Sequence, residues 1–196
     1  MYNYVGDYMD NTLYKCIRPI LYVFIKMYKP TYIGLENIPN SDSFILVGNH
    51  TSYLDPILVA STTKKCVHFF AKDNLYKGYK KLIFKHLGII PVDRTKKDKN
   101  ALNLGIKYLN DNNVVGIFPE GTINKTDDLI MDFKYGAVKM SKETGKQIVP
   151  FTIKNEYKFL RKSVSITIGK PYLVKGDLEK ENKILMNKVK EMLKEK

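Results

Sequence analysis

The chain reads as an α/β domain with a mostly parallel central sheet flanked by helices, preceded by an amphipathic helix suited to a membrane interface. Three observations predict this. Short apolar runs with no polar alternation, such as Phe44-Ile45-Leu46-Val47 and Val114-Val115-Gly116-Ile117-Phe118, have the pattern of strands buried on both faces. Segments of helical spacing separate these runs, the arrangement that parallel crossovers need. At 196 residues, with 44% hydrophobic and 27% charged residues, the chain has the size and composition of one globular unit. We divide it into an N-terminal membrane-interface helix, residues 1–30, and an α/β domain, residues 31–196.

The elements follow in order. A helix is expected over 8–28 and a short strand near Tyr32-Ile33. Strand 43–48 then leads through Thr51 and Ser52, which are cap-type residues, into helix 53–63. Strand 66–71 precedes helix 74–86. Strand 89–92 runs through a lysine-rich loop to helix 99–111. Strand 114–118 ends at Pro119, which cannot donate to a ladder. Helix 134–144 stops at Gly145, a natural C-cap. Strands 148–154 and 163–168 form a local hairpin. Helix 178–196 carries Leu178, Leu185, Val189 and Met192 on one face, a stripe that reads as core packing.

Asn49-His50-Thr51-Ser52-Tyr53-Leu54-Asp55 is the stretch richest in chemistry. His50 falls at the carboxyl end of a strand, where open α/β sheets place their ligands. The chain must turn there, so Asp55 can fold back towards the imidazole. A neutral imidazole backed by a carboxylate is a general base for a hydroxyl proton. Asp55 also fits a capping box, Ser52-x-x-Asp55, with Pro56 tolerated in the first helical turn. Local sequence leaves both readings standing. His68 and Asp73 repeat the spacing, but an extended chain holds them roughly 17 Å apart on opposite faces, so they cannot cooperate directly.

The net charge of +13 favours anionic partners, discounted for a lysine excess: only Arg18, Arg94 and Arg161 of the 33 basic residues are arginine. The lysines are spread along the chain and no nucleic-acid-binding pattern appears, so nucleic acid is not expected. Cys16 and Cys66 are too few and too far apart for a metal knuckle and suit a reducing compartment. The three histidines lack metal-ligand spacing, so no metal is expected. Residues 13–28 mix aliphatics and aromatics with Lys15, Arg18 and Lys26. That run is too interrupted to span a bilayer and suits a helix lying in the interface. Docking on the protein's own core is the other reading.

Glu120-Gly121-Thr122 follows a buried strand to the same sheet edge as His50. Gly121 permits close backbone approach to a ligand, Glu120 can bind a hydroxyl, and the loop amides can receive an oxygen. Taken alone, the segment reads first as a strand-ending turn. Arg94 offers the planar, bidentate phosphate contact that lysine cannot supply; a salt bridge to Asp93 is the alternative. Lys72, ending strand 66–71, offers a second cation or is a solvated lysine.

Four ordered blocks over residues 30–155 are together distinctive: Asn49-His50-x-Ser52-x-x-Asp55, Gly88-Ile89-Ile90-Pro91-Val92-Asp93-Arg94, Phe118-Pro119-Glu120-Gly121-Thr122 and Ile148-Val149-Pro150-Phe151. With them the chain resembles the phospholipid-synthesis acyltransferases whose bacterial members acylate 1-acylglycerol-3-phosphate (lysophosphatidic acid). Lys72 and Phe133-Lys134-x-Gly136-Ala137 also sit where that family often has similar residues. The resemblance implies a catalytic His50–Asp55 pair and acceptor binding by Lys72, Arg94, Glu120, Gly121, Thr122 and Lys125. It also implies a thioester co-substrate on acyl carrier protein or coenzyme A, no resident cofactor, and a peripheral position on the cytoplasmic face of an anionic membrane. The family usually has arginine directly after the third block. Here Ile123 occupies that place, and Lys125 is the nearest substitute charge. The departure bears on acceptor identity, so glycerol-3-phosphate or another lysophospholipid is the alternative acceptor. A non-catalytic basic protein that binds membrane or nucleic acid is the remaining alternative.

Overall fold

The computed structural model describes residues 12–40, 43–73, 86–93, 95 and 98–195. The expected helix 74–86 and the candidate Arg94 fall almost wholly outside them. The elements are α1 (Thr12–Lys26), β1 (Thr31–Ile33), β2 (Ile45–Gly48), α2 (Asp55–Ala60), β3 (Val67–Lys72), β4 (Ile90–Val92), α3 (Lys99–Asn110), β5 (Val114–Ile117), α4 (Gly136–Thr144), β6 (Ile148–Lys154), β7 (Ser165–Ile168) and α5 (Leu178–Lys194).

Among the described residues the sheet has seven strands in the order β1-β7-β6-β2-β5-β3-β4. Every neighbouring pair is parallel except β6 and β7, which pair antiparallel with Phe151 opposite Ile168. The expected hairpin is therefore present, set into an otherwise parallel arrangement. β2 is central, with β5 on one side and β6 on the other. Because β2, β3, β4 and β5 run the same way, His50, Lys72, Glu120 and the segment beyond Val92 all emerge at one edge.

Alternation along each strand divides the core between the two faces of the sheet. Ile45, Val47, Val115 and Ile148 pack with Leu109, Val138, Met140, Leu185 and Val189 of α3, α4 and α5. Phe44, Leu46, Val114, Val149 and Phe151 pack with Ile25 of α1 and Leu58 of α2. Strands covered on both faces need no polar alternation, which explains the uninterrupted apolar runs. Side-chain caps fix two helix starts: Asp98 accepts from the Asn100 and Ala101 amides, and Asp177 from those of Glu179 and Lys180.

α1 buries one side and bares the other. Ile25 is fully buried, Tyr14 bonds the Lys65 carbonyl, and Arg18 donates to the Thr63 carbonyl at 2.8 Å. Ile20, Val23, Phe24 and Met27, at i, i+3, i+4 and i+7, stay exposed, Ile20 at 69% and Val23 at 65%. Phe159 and Leu160 of the β6–β7 loop are exposed beside them, and the Leu160 amide donates to the Met27 carbonyl at 2.8 Å. The helix docks on the core, as the second reading of this segment expects, and it leaves an apolar face exposed.

Several elements are shorter than their sequence patterns. α2 covers only Asp55–Ala60, and α4 starts at Gly136, two residues after its expected start. β7 starts at Ser165, and among the described residues α1 covers 12–26 rather than extending to 28.

His68 is buried in β3, stacked on Tyr108 with centroids 4.0 Å apart and bonded through Nδ1 to the Gly88 carbonyl at 2.8 Å, whereas Asp73 is exposed. This second His-x4-Asp pair is not assembled. Burial holds the His68 pKa below its ordinary 6.5. As pH falls, the unfolded chain therefore takes up this proton first. The stability that neutral His68 contributes is present above pH 6.5 and is lost as pH drops towards the folded value. We expect the melting temperature to fall between about pH 7.5 and about pH 5.5, and to fall less steeply in His68→Gln. Equal slopes in the two proteins would remove His68 from the pH dependence.

Candidate active site

The site is built on the end of β2. Gly48 lies opposite Phe151 of β6, and any Cβ there would run into the Phe151 carbonyl and ring, so glycine lets the two strands close up. The next residue, Asn49, is buried. Its Nδ2 donates to the Ile153 carbonyl at 2.9 Å and its Oδ1 accepts from the Ile153 amide at 2.8 Å. The carboxamide thus extends the β2–β6 ladder by a side chain after β2 itself has ended. His50 leaves from that anchor.

Both backbone groups of His50 are held by the loop after β5. Its amide donates to Glu120 Oε1 at 2.8 Å, and its carbonyl accepts from the Asn124 amide at 2.8 Å. The other Glu120 oxygen accepts from the Met131 amide at 2.8 Å. Glu120, one of the predicted acceptor-binding residues, is therefore buried and bridges two segments of backbone. Burial raises its pKa, and the amide hydrogen bonds from Met131 and His50 oppose the rise. Gly121 has φ +76°, which favours glycine, and the Lys134 side chain lies directly over it.

The His50 ring stacks on Phe118 at 4.1 Å and 17°, and Phe118 in turn contacts Phe69 and Phe151. Nδ1 meets Asp55 Oδ2 at 2.9 Å. An ionised carboxylate only accepts, so Nδ1 faces it with its N–H, and Nε2 is the ring nitrogen turned away from the pair. The His50 side chain is 13% exposed and Asp55 is fully buried, so the imidazole reaches solvent while its partner does not.

Asp55 opens α2, and its carboxylate folds back over the turn. Oδ2 also accepts from the Thr51 amide at 2.6 Å and the Ser52 amide at 2.8 Å. Oδ1 accepts from the Tyr157 hydroxyl at 2.7 Å and from Thr51 Oγ1 at 3.2 Å. The carboxylate accepts from the Ser52 amide as half of a capping box would, but the box itself is absent: α2 starts at Asp55 behind Leu54 with no side-chain cap, and the Ser52 hydroxyl accepts from the Leu54 amide at 3.2 Å.

Of the remaining predicted residues, Arg94 lies outside the described residues, and Lys72, Thr122 and Lys125 lie at this edge. Lys72 is exposed at the end of β3, opposite Val92 at the end of β4. Thr122 and Lys125 are exposed in the loop that pins His50. Sequence reasoning missed Tyr157, and it missed the anchoring contacts of Asn49 and Asn124. Asn49 is adjacent to His50 in a buried strand, a hint that was available. Tyr157 lies 102 residues from Asp55 and carries no local signal.

The acyltransferase family model matches residues 29–154. A 1-acyl-sn-glycerol-3-phosphate acyltransferase of Borreliella burgdorferi is 32% identical over 139 residues, covering 69% of this chain and 55% of that protein. One from Bacillus subtilis is 27% identical, covering 69% of this chain and 70% of that protein. The crystal structure of the 1-acyl-sn-glycerophosphate (LPA) acyltransferase PlsC of Thermotoga maritima superposes with a TM-score of 0.70 at 26% identity. That match covers 91% of this chain and 80% of PlsC. The aligned part of this chain thus spans just over half the length of the Borreliella relative.

The anchoring of His50 is testable through Asn49. Asn49→Ala leaves the buried amide and carbonyl of Ile153 without partners, and we expect a loss of about 2–4 kcal/mol in urea unfolding. A loss below about 1 kcal/mol would show that the strand end holds without that carboxamide.

Proposed function

The chain belongs to the acyltransferase family, and on that premise we propose that it moves a fatty acyl group from a thioester to the 2-hydroxyl of 1-acylglycerol-3-phosphate, forming phosphatidic acid. The thioester is carried on acyl carrier protein or coenzyme A. The observation that carries this reading is the His50–Asp55 pair, 2.9 Å apart at the carboxyl edge of the central strand, with the imidazole reaching solvent and the carboxylate buried. The names of the Borreliella, Bacillus and Thermotoga relatives supply the acceptor.

In this mechanism His50 Nε2 takes the acceptor hydroxyl proton while that oxygen attacks the thioester carbonyl. Asp55 holds the tautomer and stabilises the imidazolium. The tetrahedral intermediate expels the thiolate, which recovers the proton from Nε2. An ester forms, a thioester breaks, and no covalent acyl-enzyme is required. Arg94, Lys72 and Lys125 hold the acceptor phosphate and so position the hydroxyl, with Glu120, Gly121 and Thr122 lining the glycerol region. Lys134, lying over Gly121, adds a cation at the same loop.

The protein works at a membrane surface. No helix among the described residues is long and apolar enough to cross a membrane. The exposed Ile20, Val23, Phe24 and Met27 face of α1, with Lys15, Arg18 and Lys26 on the same helix, suits shallow insertion into an anionic leaflet. The cytoplasmic leaflet is the proposed one, since the two free thiols and the thioester donors fit that side.

Purified protein should convert lysophosphatidic acid to phosphatidic acid with an acyl carrier protein or coenzyme A thioester. His50→Ala should lower kcat by about 10³-fold or more while remaining folded. Turnover of glycerol-3-phosphate in preference to lysophosphatidic acid would move the acceptor to the alternative that Ile123 suggests. Arg94→Lys should raise the acceptor KM roughly tenfold, and an unchanged KM would relocate the phosphate site. In vesicle sedimentation, Val23→Glu should weaken binding to anionic vesicles about tenfold, and unaltered binding would remove α1 from the interface.

A further inference from the structure

Tyr157 stands outside all four sequence blocks, yet its hydroxyl lies 2.7 Å from the carboxylate of Asp55. The two Asp55 oxygens have different duties. Oδ2 faces His50 and the turn amides, whereas Oδ1 faces Tyr157 and the weaker Thr51 hydroxyl contact at 3.2 Å. A carboxylate turns readily about its Cβ–Cγ bond, because that torsion is broad. A strong donor on Oδ1 removes this freedom and keeps Oδ2 aimed at Nδ1. The donor must be the phenol, since the carboxylate only accepts. Burial, reinforced by the neighbouring carboxylate, pushes the Tyr157 pKa well above its ordinary value, so the phenolic proton stays in place.

The Tyr157 ring is itself braced. Tyr28, just past α1, meets it edge to face with centroids 5.8 Å apart, and also contacts Phe24 of α1 at 5.7 Å and Phe159 at 5.7 Å. The Leu160 amide bond to the Met27 carbonyl ties the same loop to the end of α1. Tyr157 thus stands between the helix that bears the exposed apolar face and the carboxylate that orients the base.

We propose that Tyr157 is a positioning residue for the reaction: braced by Tyr28, it fixes the Asp55 carboxylate so that His50 is aligned as base. It touches no reacting atom and acts through Asp55. The inference rests on the acyl-transfer reading, but its geometric part is measurable without turnover.

Tyr157→Phe keeps the ring packing and deletes the hydroxyl. Its kcat should fall roughly tenfold or more, with the KM for lysophosphatidic acid within about twofold of wild type, and its melting temperature should fall because a buried carboxylate loses one donor. A residue that only fills space would leave kcat intact. Tyr28→Leu retains the hydroxyl but loses the brace, so it should lower kcat less. The double variant should be little worse than Tyr157→Phe alone. In parallel, the downfield proton resonance of the His50 Nδ1–H, assigned by its loss in His50→Ala, should move in Tyr157→Phe. Wild-type kcat in Tyr157→Phe, or an unmoved resonance, overturns the proposal. Should Tyr157→Phe fail to fold, Tyr28→Leu carries the same two readouts. Failure of the wild type to transfer acyl groups would instead overturn the reaction, leaving the resonance to decide the positioning.

Discussion

The buried carboxylate of Asp55 is the constraint on which the site depends. Taking an ionised carboxylate out of water costs several kcal/mol, so it persists only where donors replace its hydration. Four do so at 2.6–2.9 Å: the Thr51 and Ser52 amides, the His50 ring and the Tyr157 hydroxyl. Hydrogen bonds to a charged group contribute roughly 1.5–3 kcal/mol each, which is enough together to offset the burial. The same bonds dictate the shape of the turn. With two consecutive amides aimed at one oxygen, the chain between β2 and α2 has little freedom, and the imidazole is delivered in one orientation.

A second set of contacts fixes the backbone that carries the ring. Glu120 and Asn124 hold the amide and carbonyl of His50, and Asn49 locks the preceding residue to β6. These partners come from the loop after β5 and from β6, the two neighbours of β2, so the parallel order β6-β2-β5 is what brings them within reach. Phe118 then supplies a flat apolar floor for the imidazole. Such preorganisation matters because a general base loses rate when its lone pair is misaimed, even by about 1 Å. Glu120 shows how one side chain can serve architecture and lie beside the chemistry at once: its two oxygens join the His50 turn to the segment that leads towards α4.

The apolar face of α1 and the His–Asp pair are joined through aromatic contacts rather than through the sheet. Phe24, Tyr28 and Tyr157 form a chain of edge-to-face rings that ends at the Asp55 carboxylate. Tyrosine suits the last link because its ring packs with apolar neighbours while its hydroxyl meets a buried acceptor. The helix therefore does more than cover one face of the sheet, since it also backs the residue that reaches the carboxylate.

The sequence by itself determined what depends on near neighbours. Strands buried on both faces appear as apolar runs, one helix end appears as Gly145, and the turn after β2 keeps His50 and Asp55 only five residues apart. Element boundaries were less legible, as at α4, which begins at Gly136 rather than at 134. The tertiary structure alone decided which partners complete the site. Asn49 meets Ile153 across 104 residues, His50 meets Glu120 across 70, and Asp55 meets Tyr157 across 102. Such contacts are set by strand order and register. A side chain that reaches a partner a hundred residues away has the same local sequence as one that reaches only water.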